Sequence, residues 1–398
     1  MKKDVVIVAN FCGEFNSANN GRFKNIANML SEECDIEIIT SDFRHGTKTP
    51  KTDFSVDGNF KATFIHEPHY PKNICIKRFF AHYIFSKNVR KYLEQRKVPD
   101  LLYCAVPSLD AAFEVAKYAK KKKINFILDI QDLWPEAFRM VFDIPVVSDI
   151  IYGPMMRKAN KIYSAADEVV AVSKTYADRA MIVNKKCKTP IVAFLGTDLD
   201  KVDIEIKNPL IVQKEGNEIF MAYIGTLGNS YDLISVLSAM KLLKEEGRAK
   251  ELKFIVMGSG QLKEKFEEFA RENELNAVFT GKLPYPQMIA ELAYCDFAVN
   301  PIKAKSAGSI INKVGDYAAV GIPVVNTQNC EEYRNLIDEY GAGINCENGN
   351  IRDLADAIEK MHDDAELRVR MGKANRRLAE DKFNRSTSYK KICELILK

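Results

Sequence analysis

The stretch "EIFMAYIG", residues 218–225, decides the fold, because the alternation of short apolar runs and helical segments found in the first half of the chain begins again there. It is a nearly continuous apolar run that ends in glycine, and the helical pattern "DLISVLSAMKLLKEEG" follows it. Three further apolar runs, "LKFIVMGSG", "AVFTGKL" and "DFAVNPI", alternate with helical segments after that point. Short apolar strands that alternate with helices are typical of βαβ units with a parallel sheet. The second half therefore predicts a Rossmann-like domain.

The first half of the chain has the same alternation. Its strand candidates, separated by helical segments and loops, are "VVIVAN", "DIEIIT", "LLYCAV", "NFILDI" and "EVVAVS". The polar segment 200–217 separates the two halves. We therefore predict an α/β fold with two Rossmann-like domains, residues 1–200 and 201–382, whose parallel sheets face each other across a cleft. A last helix, about residues 383–398, is predicted to pack back on the first domain.

Composition excludes several classes of protein. A formal net charge of +4 over 398 residues is too small to indicate nucleic-acid binding. The nine cysteines form no C-x-x-C pair, which is typical of reduced thiols in an intracellular protein. The start, "MKKDVVIVAN", has too short an apolar run for a signal peptide, and no run reaches the roughly 20 residues of a membrane-spanning helix. We expect a cytoplasmic protein.

Three loops after strands of the second half are rich in glycine. Their residues are Gly225, Thr226 and Gly228, then Gly258 and Gly260, then Gly281, Lys282 and Leu283. Ligands of open α/β sheets bind at the carboxyl ends of strands, where helix N-termini offer free N–H groups. Each glycine alone could equally serve a structural turn. Three such loops in series favour a binding edge for a phosphorylated ligand, although the dinucleotide motif G-x-G-x-x-G is absent.

The segment "SAGSIINKVGDYAAVGIPVV", residues 306–325, places a lysine in the first turn of a helix. Ser309 is the predicted N-cap, and the helix is expected to run to about Val320. A cation at a helix N-terminus opposes the macrodipole, whereas an anion bound there would interact favourably with both the helix and Lys313. Asp316, one turn deeper, could accept hydrogen bonds from the hydroxyl groups of a ribose. A solvated lysine and a surface aspartate remain the alternative.

This segment resembles the donor-binding segment of retaining glycosyltransferases of family 4, which have the GT-B fold. It is similar to the branch found in surface-polysaccharide synthesis, which reads S-x-x-S-I-P-N-K-x-x-D/E-Y-x-A-x-G-x-P-V. The resemblance extends over the chain, since "DIQDLWPEAF", "FLGTDLD", "MAYIGTLGNSYDLISVLSAM", "VMGSGQLKEKFEE" and "FTGKLPYPQM" follow in the order of the family. Gly308 stands where the broader family has a glutamate. Thr226 and Tyr231 stand about where many members have an arginine and a lysine that clamp the donor diphosphate.

The resemblance implies a donor site in the second domain for a nucleotide diphosphate sugar, most often linked to uridine diphosphate (UDP). Lys313 would act on the leaving diphosphate as a catalytic residue. The other implied donor-binding residues are Gly13, Gly225, Thr226, Gly258, Gly260, Lys282, Leu283, Ser306, Ser309, Ile310, Asn312 and Asp316. No cofactor is implied. No metal is implied either, although Asp198 and Asp200 form a D-x-D match.

The acceptor, a glycan or a lipid-linked glycan, would bind the first domain. Asp129 and Trp134 are predicted acceptor-binding residues, and Asp132 is the candidate for contacting or deprotonating the acceptor hydroxyl. Helix capping is an equally good interpretation of Asp132. Residues 71–97 are basic with interleaved aromatic residues, which indicates either a solvated helix or peripheral contact with the inner membrane surface.

Two other functions are compatible with this sequence. A nucleotide-sugar 2-epimerase shares the fold, but it would need acidic and histidine groups around the sugar, and the chain has only five histidines. A non-catalytic partner subunit that binds a nucleotide sugar without turnover would fit Gly308 and Thr226. Donor hydrolysis or transfer by the purified protein distinguishes a hexosyltransferase from these alternatives, and binding without turnover across a broad panel of donors and acceptors favours the subunit.

Overall fold

The computed structural model describes residues 2–16, 21–73, 75–139, 142–304 and 309–398. The chain divides into two compact units. Unit 1 comprises residues 1–193 together with 389–398, and unit 2 comprises residues 194–388. The boundary thus falls earlier than the predicted residue 200, because the helix Leu199–Glu205 occupies part of the supposed linker and packs in the core of unit 2.

Unit 1 is built on a parallel sheet of seven strands. The strands of the sheet are β1 (Lys3–Val8), β2 (Cys34–Ser41), β5 (Lys61–Ile65), β6 (Leu101–Val106), β7 (Asn125–Ile130), β8 (Glu168–Ala171) and β9 (Ile191–Val192). Two further short strands, β3 (Phe43–Arg44) and β4 (Thr49–Pro50), form a separate antiparallel ribbon. The order in the sheet is β5-β2-β1-β6-β7-β8-β9, so the chain reverses its direction of winding between β1 and β6. Strand β6 is buried at every position, as expected for a parallel sheet covered on both faces.

Helices cover the sheet of unit 1. They are α1 (Arg22–Leu30), α2 (Ile76–Gln95), α3 (Leu109–Lys122), α4 (Glu136–Arg139), α5 (Val147–Ala165) and α6 (Lys174–Met181). The last helix of the chain, Lys390–Leu397, also belongs to this unit. Its Ile392 and Ile396 are fully buried in one core with Val5 and Ile26.

Unit 2 repeats the same architecture with six parallel strands. They are β10 (Ile219–Ile224), β11 (Leu252–Met257), β12 (Ala277–Gly281), β13 (Phe297–Asn300), β14 (Val324–Asn326) and β15 (Gly343–Asn345). The order β12-β11-β10-β13-β14-β15 places the reversal of winding between β10 and β13. Ligands of such sheets bind at the carboxyl edge beside this reversal.

The helices of unit 2 follow its strands in turn. They are α7 (Leu199–Glu205), α8 (Leu233–Glu245), α9 (Lys263–Glu272), α10 (Tyr285–Tyr294), α11 (Asn312–Ala319), α12 (Glu331–Tyr340), α13 (Ile351–Asp363), α14 (Ala365–Leu378) and α15 (Arg385–Ser388), with a π-helical turn at Ala379–Phe383; the helix Lys390–Leu397 of unit 1 is α16. Among the described residues, no helix is both long and apolar enough to span a membrane. All nine cysteines are free thiols, and seven of them are buried.

Candidate functional site

Helix α11 begins at the reversal of winding in unit 2. It follows β13, and β13 pairs with β10, whose last residue directly precedes Gly225. The N-cap is Ile311, with no capping side chain, so the predicted cap at Ser309 is wrong by two residues. Lys313 is therefore the second helical residue. Because the first N–H groups of a helix have no acceptor within it, α11 presents free donors at this edge.

The amine of Lys313 is buried in unit 2. The residue is 8% exposed, and its Nζ finds no hydrogen-bond partner among the described residues. The amine lies between two aromatic rings, 4.0 Å from the ring centre of Tyr223 and 3.9 Å from that of Tyr231. Burial lowers the pKa of Lys313 well below its ordinary value. Two cation–π contacts, each worth about 0.5–2 kcal/mol, are small beside the cost of burying an unpaired charge.

Tyr231 occupies its place beside Lys313 because two loops are joined there. Tyr231 forms an isolated antiparallel bridge with Ile302, which follows β13, and the N–H of Asp232 donates to Pro301 O at 3.0 Å. Tyr231, which stands about where the resemblance would place a lysine, thus presents an aromatic ring to Lys313.

The glycines of this edge permit close contact between neighbouring loops. A Cβ on Gly225, whose φ is +128°, would lie 2.8 Å from the Nζ of Lys313. A Cβ on Gly258 would lie 1.8 Å from Gly225 O, and one on Gly260 would lie 2.3 Å from Leu227 O. Gly258 and Gly260 are therefore needed for the close approach of neighbouring backbone, which is the structural alternative that the sequence left open. Gly225, in contrast, leaves space for the amine of Lys313.

The other predicted donor residues differ in their accessibility. Thr226, Lys282 and Asn312 are exposed, whereas Leu283 and Ile310 are partly buried and pack against apolar cores. Ser306 and Gly308 lie outside the described residues. In the D-x-D match, Asp198 caps α7 by accepting from the N–H of Lys201 at 3.2 Å.

Asp316 already has two hydrogen-bond donors. Its Oδ1 accepts from Thr197 Oγ1 and from the hydroxyl of Tyr285, both at 3.0 Å. Burial raises the pKa of Asp316, and the two hydroxyl bonds act in the opposite direction. The bonds occupy Oδ1, so the ribose contact expected from the sequence would have to use Oδ2.

A row of buried and partly buried amides supports the loop before α11. Asn300 donates to Asn326 Oδ1 at 2.9 Å, and Asn326 donates to Asn345 Oδ1 at 2.9 Å. Asn300 also donates to Gln328 Oε1 at 3.1 Å, and Gln328 in turn donates to Ser309 O at 2.8 Å. Sequence reasoning missed this network. The available signal was that β13, β14 and β15 all end in asparagine.

In unit 1, Asp129 is enclosed by its own domain. It is fully buried, and it accepts from Arg22 Nε at 2.8 Å and from the hydroxyl of Tyr103 at 2.8 Å. Arg22 also donates to Ala193 O at 2.9 Å and lies over the ring of Tyr389. The structure therefore gives Asp129 a structural role in place of the predicted acceptor contact: the Arg22–Asp129 pair joins α1 to the sheet and, through Arg22, to Tyr389 at the start of α16.

Asp132 lies just beyond the same strand and is only partly buried. Its Oδ1 accepts from the N–H of Leu133 at 2.9 Å, and its Oδ2 accepts from Trp134 Nε1 at 3.1 Å. The hydroxyl of Tyr176 makes a longer bond of 3.4 Å. Burial raises the pKa of Asp132, which makes the carboxylate a stronger base. Trp134 is buried, with the guanidinium of Arg78 4.6 Å from its ring centre.

A buried acid–histidine pair also lies at this edge of unit 1. Glu67 follows β5, its Oε2 accepts from Asn10 Nδ2 at 3.0 Å, and its Oε1 lies 3.6 Å from His82 Nε2. Burial raises the pKa of Glu67 to about 7 and lowers the pKa of His82 to about 3. The run "HEPH", residues 66–69, does not reveal this pair, because the partner of Glu67 comes from α2. Gly13 is exposed in the loop after β1.

Comparisons with known proteins agree with this architecture. Residues 206–378, most of unit 2, match the family model for glycosyl transferases group 1. The uncharacterized glycosyltransferase MJ1069 of Methanocaldococcus jannaschii is 24% identical over 242 residues, which are 59% of this chain and 60% of that protein. The chain thus aligns with about three-fifths of the length of this curated relative.

Two solved structures superimpose on almost the whole chain. Sucrose-phosphate synthase from Thermosynechococcus elongatus has a TM-score of 0.74 at 12% identity, with 99% of this chain and 98% of that chain covered. Anabaena HepE in complex with UDP has a TM-score of 0.68 at 14% identity, with 99% of each chain covered. The same HepE protein was also solved with UDP-glucose. The predicted GT-B fold is confirmed, and the family match supports a glycosyltransferase.

Proposed function

We propose that this protein is a retaining hexosyltransferase that transfers a sugar from a nucleotide diphosphate sugar, linked to UDP, to a glycan or lipid-linked acceptor. The proposal places it in the surface-polysaccharide branch of family 4. One observation carries it: the amine of Lys313, buried at the N-terminus of α11 beside Gly225, has no hydrogen-bond partner in the part of the chain that the structure describes. A buried amine without an acceptor, next to free helix amides, is a site for an anion.

The diphosphate of the donor is the anion that fits this arrangement. It would accept from the first N–H groups of α11 and from Lys313, so that the two replace the clamp that Thr226 and Tyr231 do not supply. These donors are fixed before the sugar–phosphate bond breaks, and they stabilise the charge that develops on the leaving diphosphate. The similarity to HepE, solved with UDP and with UDP-glucose, supports UDP as the carrier.

The proposed acceptor side uses Asp132, with Trp134 beside it. The acceptor hydroxyl would donate to the remaining lone pair of the Asp132 carboxylate, which takes its proton or orients it. If the acceptor is lipid-linked, residues 71–97 bring unit 1 to the membrane surface. No metal or cofactor takes part in the proposed reaction, because the charge of the leaving group is met by the helix and by Lys313.

Proton uptake on donor binding tests the proposal. Lys313 has a lowered pKa in the free protein, and the diphosphate raises it in the complex, so binding takes up a proton. Affinity for UDP-glucose is therefore highest at low pH and falls by up to about tenfold per pH unit as pH rises through the interval between the two pKa values. Isothermal titration calorimetry from about pH 6 to about pH 9, in buffers of different ionisation enthalpy, measures both effects.

Two variants test whether the pH dependence of UDP-glucose affinity comes from Lys313. Lys313→Met should weaken UDP-glucose binding about tenfold at low pH and remove its pH dependence, while uridine binding changes little. Lys241→Met removes the same charge from an exposed position on α8 and should behave as wild type. Equal losses of uridine and UDP-glucose affinity in Lys313→Met would refute the diphosphate role.

A further inference from the structure

Two helices of unit 1 hold the ring of Trp134. From α2, the guanidinium of Arg78 lies 4.6 Å from the ring centre, and the imidazole of His82 stacks at 5.6 Å with an interplanar angle of 13°. From α4, the ring of Phe138 lies at 4.9 Å. The ring nitrogen Nε1 of Trp134 donates to Asp132 Oδ2 at 3.1 Å. The contacts with α2 therefore help to fix the ring that donates to this carboxylate.

The imidazole of His82 faces the carboxyl group of Glu67. His82 Nε2 lies 3.6 Å from Glu67 Oε1, and neither atom has a hydrogen-bond partner among the described residues. Both side chains are 1% exposed. Buried polar atoms are nearly always hydrogen-bonded, and a shortening of about 0.5 Å would give an ordinary hydrogen bond here. Since Asn10 Nδ2 holds the other carboxyl oxygen at 3.0 Å, Glu67 is placed to orient the imidazole.

The pair can hydrogen-bond in either protonation state of Glu67. A neutral Glu67 donates its hydroxyl to Nε2 of His82, whereas an ionised Glu67 accepts from the N–H of a neutral imidazole. Burial raises the pKa of Glu67 to about 7 and lowers the pKa of His82 to about 3. The imidazole therefore stays neutral around neutral pH, while Glu67 gains or loses its proton there. Ionisation of Glu67 places a negative charge beside the ring that stacks on Trp134.

Charged groups from several elements surround this carboxyl group. Arg78 on α2 favours the ionised form of Glu67, as does the ammonium group of Lys51 after β4. Asp42 after β2 opposes ionisation, and its Oδ1 accepts from the N–H of Glu67 at 2.8 Å. The other titratable groups that face the pair are His45 and Tyr70. Because these charges act in opposite directions, burial remains the largest influence on the pKa of Glu67.

We propose that Glu67 and His82 are positioning residues for Asp132. Glu67 orients the imidazole of His82, and the stacked imidazole holds the ring of Trp134 in place. The bond from Trp134 Nε1 then fixes one oxygen of Asp132, so that an acceptor hydroxyl meets the carboxylate in one orientation. Since a misplacement of about 1 Å can cost about a hundredfold in rate, such indirect support matters to catalysis. The inference deepens the proposed function, because it rests on Asp132 as the group that handles the acceptor hydroxyl.

The single tryptophan of the chain gives a direct readout. NMR of the full chain with isotope-labelled tryptophan shows one indole N–H, that of Trp134. In the wild type its chemical shift should follow pH with a midpoint of about 7, because Glu67 ionises there. Glu67→Gln keeps a donor for His82 but carries no charge, so this transition should disappear. The control His66→Gln removes the exposed imidazole next to Glu67 in sequence and should keep the transition.

Exchange of the indole N–H with water reads its bond to Asp132. Glu67→Leu leaves His82 Nε2 without a partner and should speed this exchange about tenfold or more at fixed pH, whereas Glu67→Gln should keep most of the protection. The matched control Glu37→Leu removes another acid of unit 1, one that is 5% exposed on β2, and should leave the exchange rate unchanged.

Transfer kinetics provide a third measurement. Glu67→Leu should lower kcat about tenfold to a hundredfold with the KM for the donor unchanged, and Glu67→Gln should restore most of kcat. A loss of stability alone would not produce this rescue together with the loss of the pH transition. Circular dichroism verifies that each variant is folded, and Glu67→Gln, which conserves size, still tests the inference if Glu67→Leu does not fold.

Two results would overturn the inference. One is an unchanged exchange rate of the indole N–H in folded Glu67→Leu. The other is a transition at about pH 7 that persists in Glu67→Gln, which would assign it to Asp132. Faster exchange with unchanged kcat would support the hold on Trp134 and contradict the role of Asp132 in the proposed reaction, so the two failures are distinguishable.

Discussion

The carboxyl edges of the two sheets share a strand order but differ in the chemistry that they carry. In unit 2 the edge is lined by Gly225, Gly258 and Gly260, and its only buried charged side chain beside the reversal of winding, among the described residues, is that of Lys313. In unit 1 the corresponding edge contains several buried ionisable groups, among them Glu67 and Asp129.

The difference shows how one topology can provide two kinds of site. The strand order fixes where loops and helix N-termini converge, and the residues at those points then decide the chemistry. Glycine loops with one cation leave room for an anion close to backbone N–H groups. Carboxylates fixed by neighbouring donors suit hydrogen bonding to hydroxyl groups. The comparison also separates two aspartates at the end of β7, because Asp129, within the strand, is satisfied by Arg22 and Tyr103, whereas Asp132, in the loop after it, remains partly exposed.

The largest expected effect concerns Asp132. Asp132→Asn keeps an acceptor for the N–H of Leu133 but removes the base, so sugar transfer should fall about 10²–10⁴-fold. Affinity for UDP-glucose should stay unchanged, because the proposed donor site lies in unit 2. The measurement is release of UDP from a panel of UDP-sugars and acceptors, with donor affinity taken from calorimetry.

Asp167→Asn is the matched control for this variant. Asp167 accepts a hydrogen bond of 3.0 Å from the N–H of Phe126. Phe126 lies at the amino end of β7, and Asp132 follows the carboxyl end of the same strand. Its replacement should leave transfer unchanged. Unchanged transfer in Asp132→Asn would remove Asp132 from the mechanism, and donor binding by the wild type without turnover on any acceptor would favour the partner-subunit alternative.

A somewhat smaller effect is expected at Asp129, and on stability instead of activity. Asp129→Leu leaves Arg22 buried without its carboxylate, which should cost about 3–5 kcal/mol in the free energy of unfolding. The double variant Arg22→Met with Asp129→Leu removes both charges and should recover most of that loss. Asp149→Asn, which breaks an exposed pair with Arg139, should have a much smaller effect on the free energy of unfolding.

Urea unfolding can be followed specifically in unit 1. Trp134 is the single tryptophan of the chain, and it lies in unit 1, so its fluorescence reports unfolding of that unit. If the single variant Asp129→Leu has the same free energy of unfolding as the double variant, the ion pair between Arg22 and Asp129 does not stabilise unit 1. Asp129 would then again be a candidate for the acceptor site.

Much of the fold could be predicted because each strand is a continuous apolar run between turn residues. "LLYCAV" and "NFILDI" coincide with β6 and β7, and "VVIVAN" and "EIFMAYIG" overlap β1 and β10. The stretch of α5, residues 147–165, was not recognised as a helix. The reason is physical: it exposes Val147, Ile150 and Ile151, so its apolar residues do not mark one buried face, and Pro154 lies inside it.

The candidate site was less predictable, because its contacts join residues far apart in sequence. The motif identified Lys313, but not the rings of Tyr223 and Tyr231 that enclose its amine. Similarly, the pairing of Asp129 with Arg22 spans 107 positions, and neither residue shows it alone. Local pattern predicts which side chains reach the edge of a sheet, whereas the partners of those side chains depend on tertiary packing.

The smallest effect is expected from Gly225→Ala, and it tests whether the glycine edge of unit 2 exists to admit the amine. The new Cβ would lie 2.8 Å from Lys313 Nζ, the free end of a flexible side chain, so the amine moves while the fold survives. UDP-glucose affinity should fall about fivefold to tenfold, with uridine affinity nearly unchanged. The positive φ of +128° adds strain of about 1–2 kcal/mol to the folded state.

Gly247→Ala separates the strain from the displacement of the amine. Gly247 also has a positive φ, +70°, but a Cβ there would meet nothing within 4 Å. It should lose about 1 kcal/mol of stability and none of its donor affinity. In the Lys313→Met background, Gly225→Ala should cost no further donor affinity, because the displaced group is absent. A different result is that Gly225→Ala weakens UDP-glucose binding as much in that background as in the wild type. Gly225 would then serve the backbone of its loop, as Gly258 and Gly260 do. The contrast between the two sheet edges would then rest on Lys313 alone.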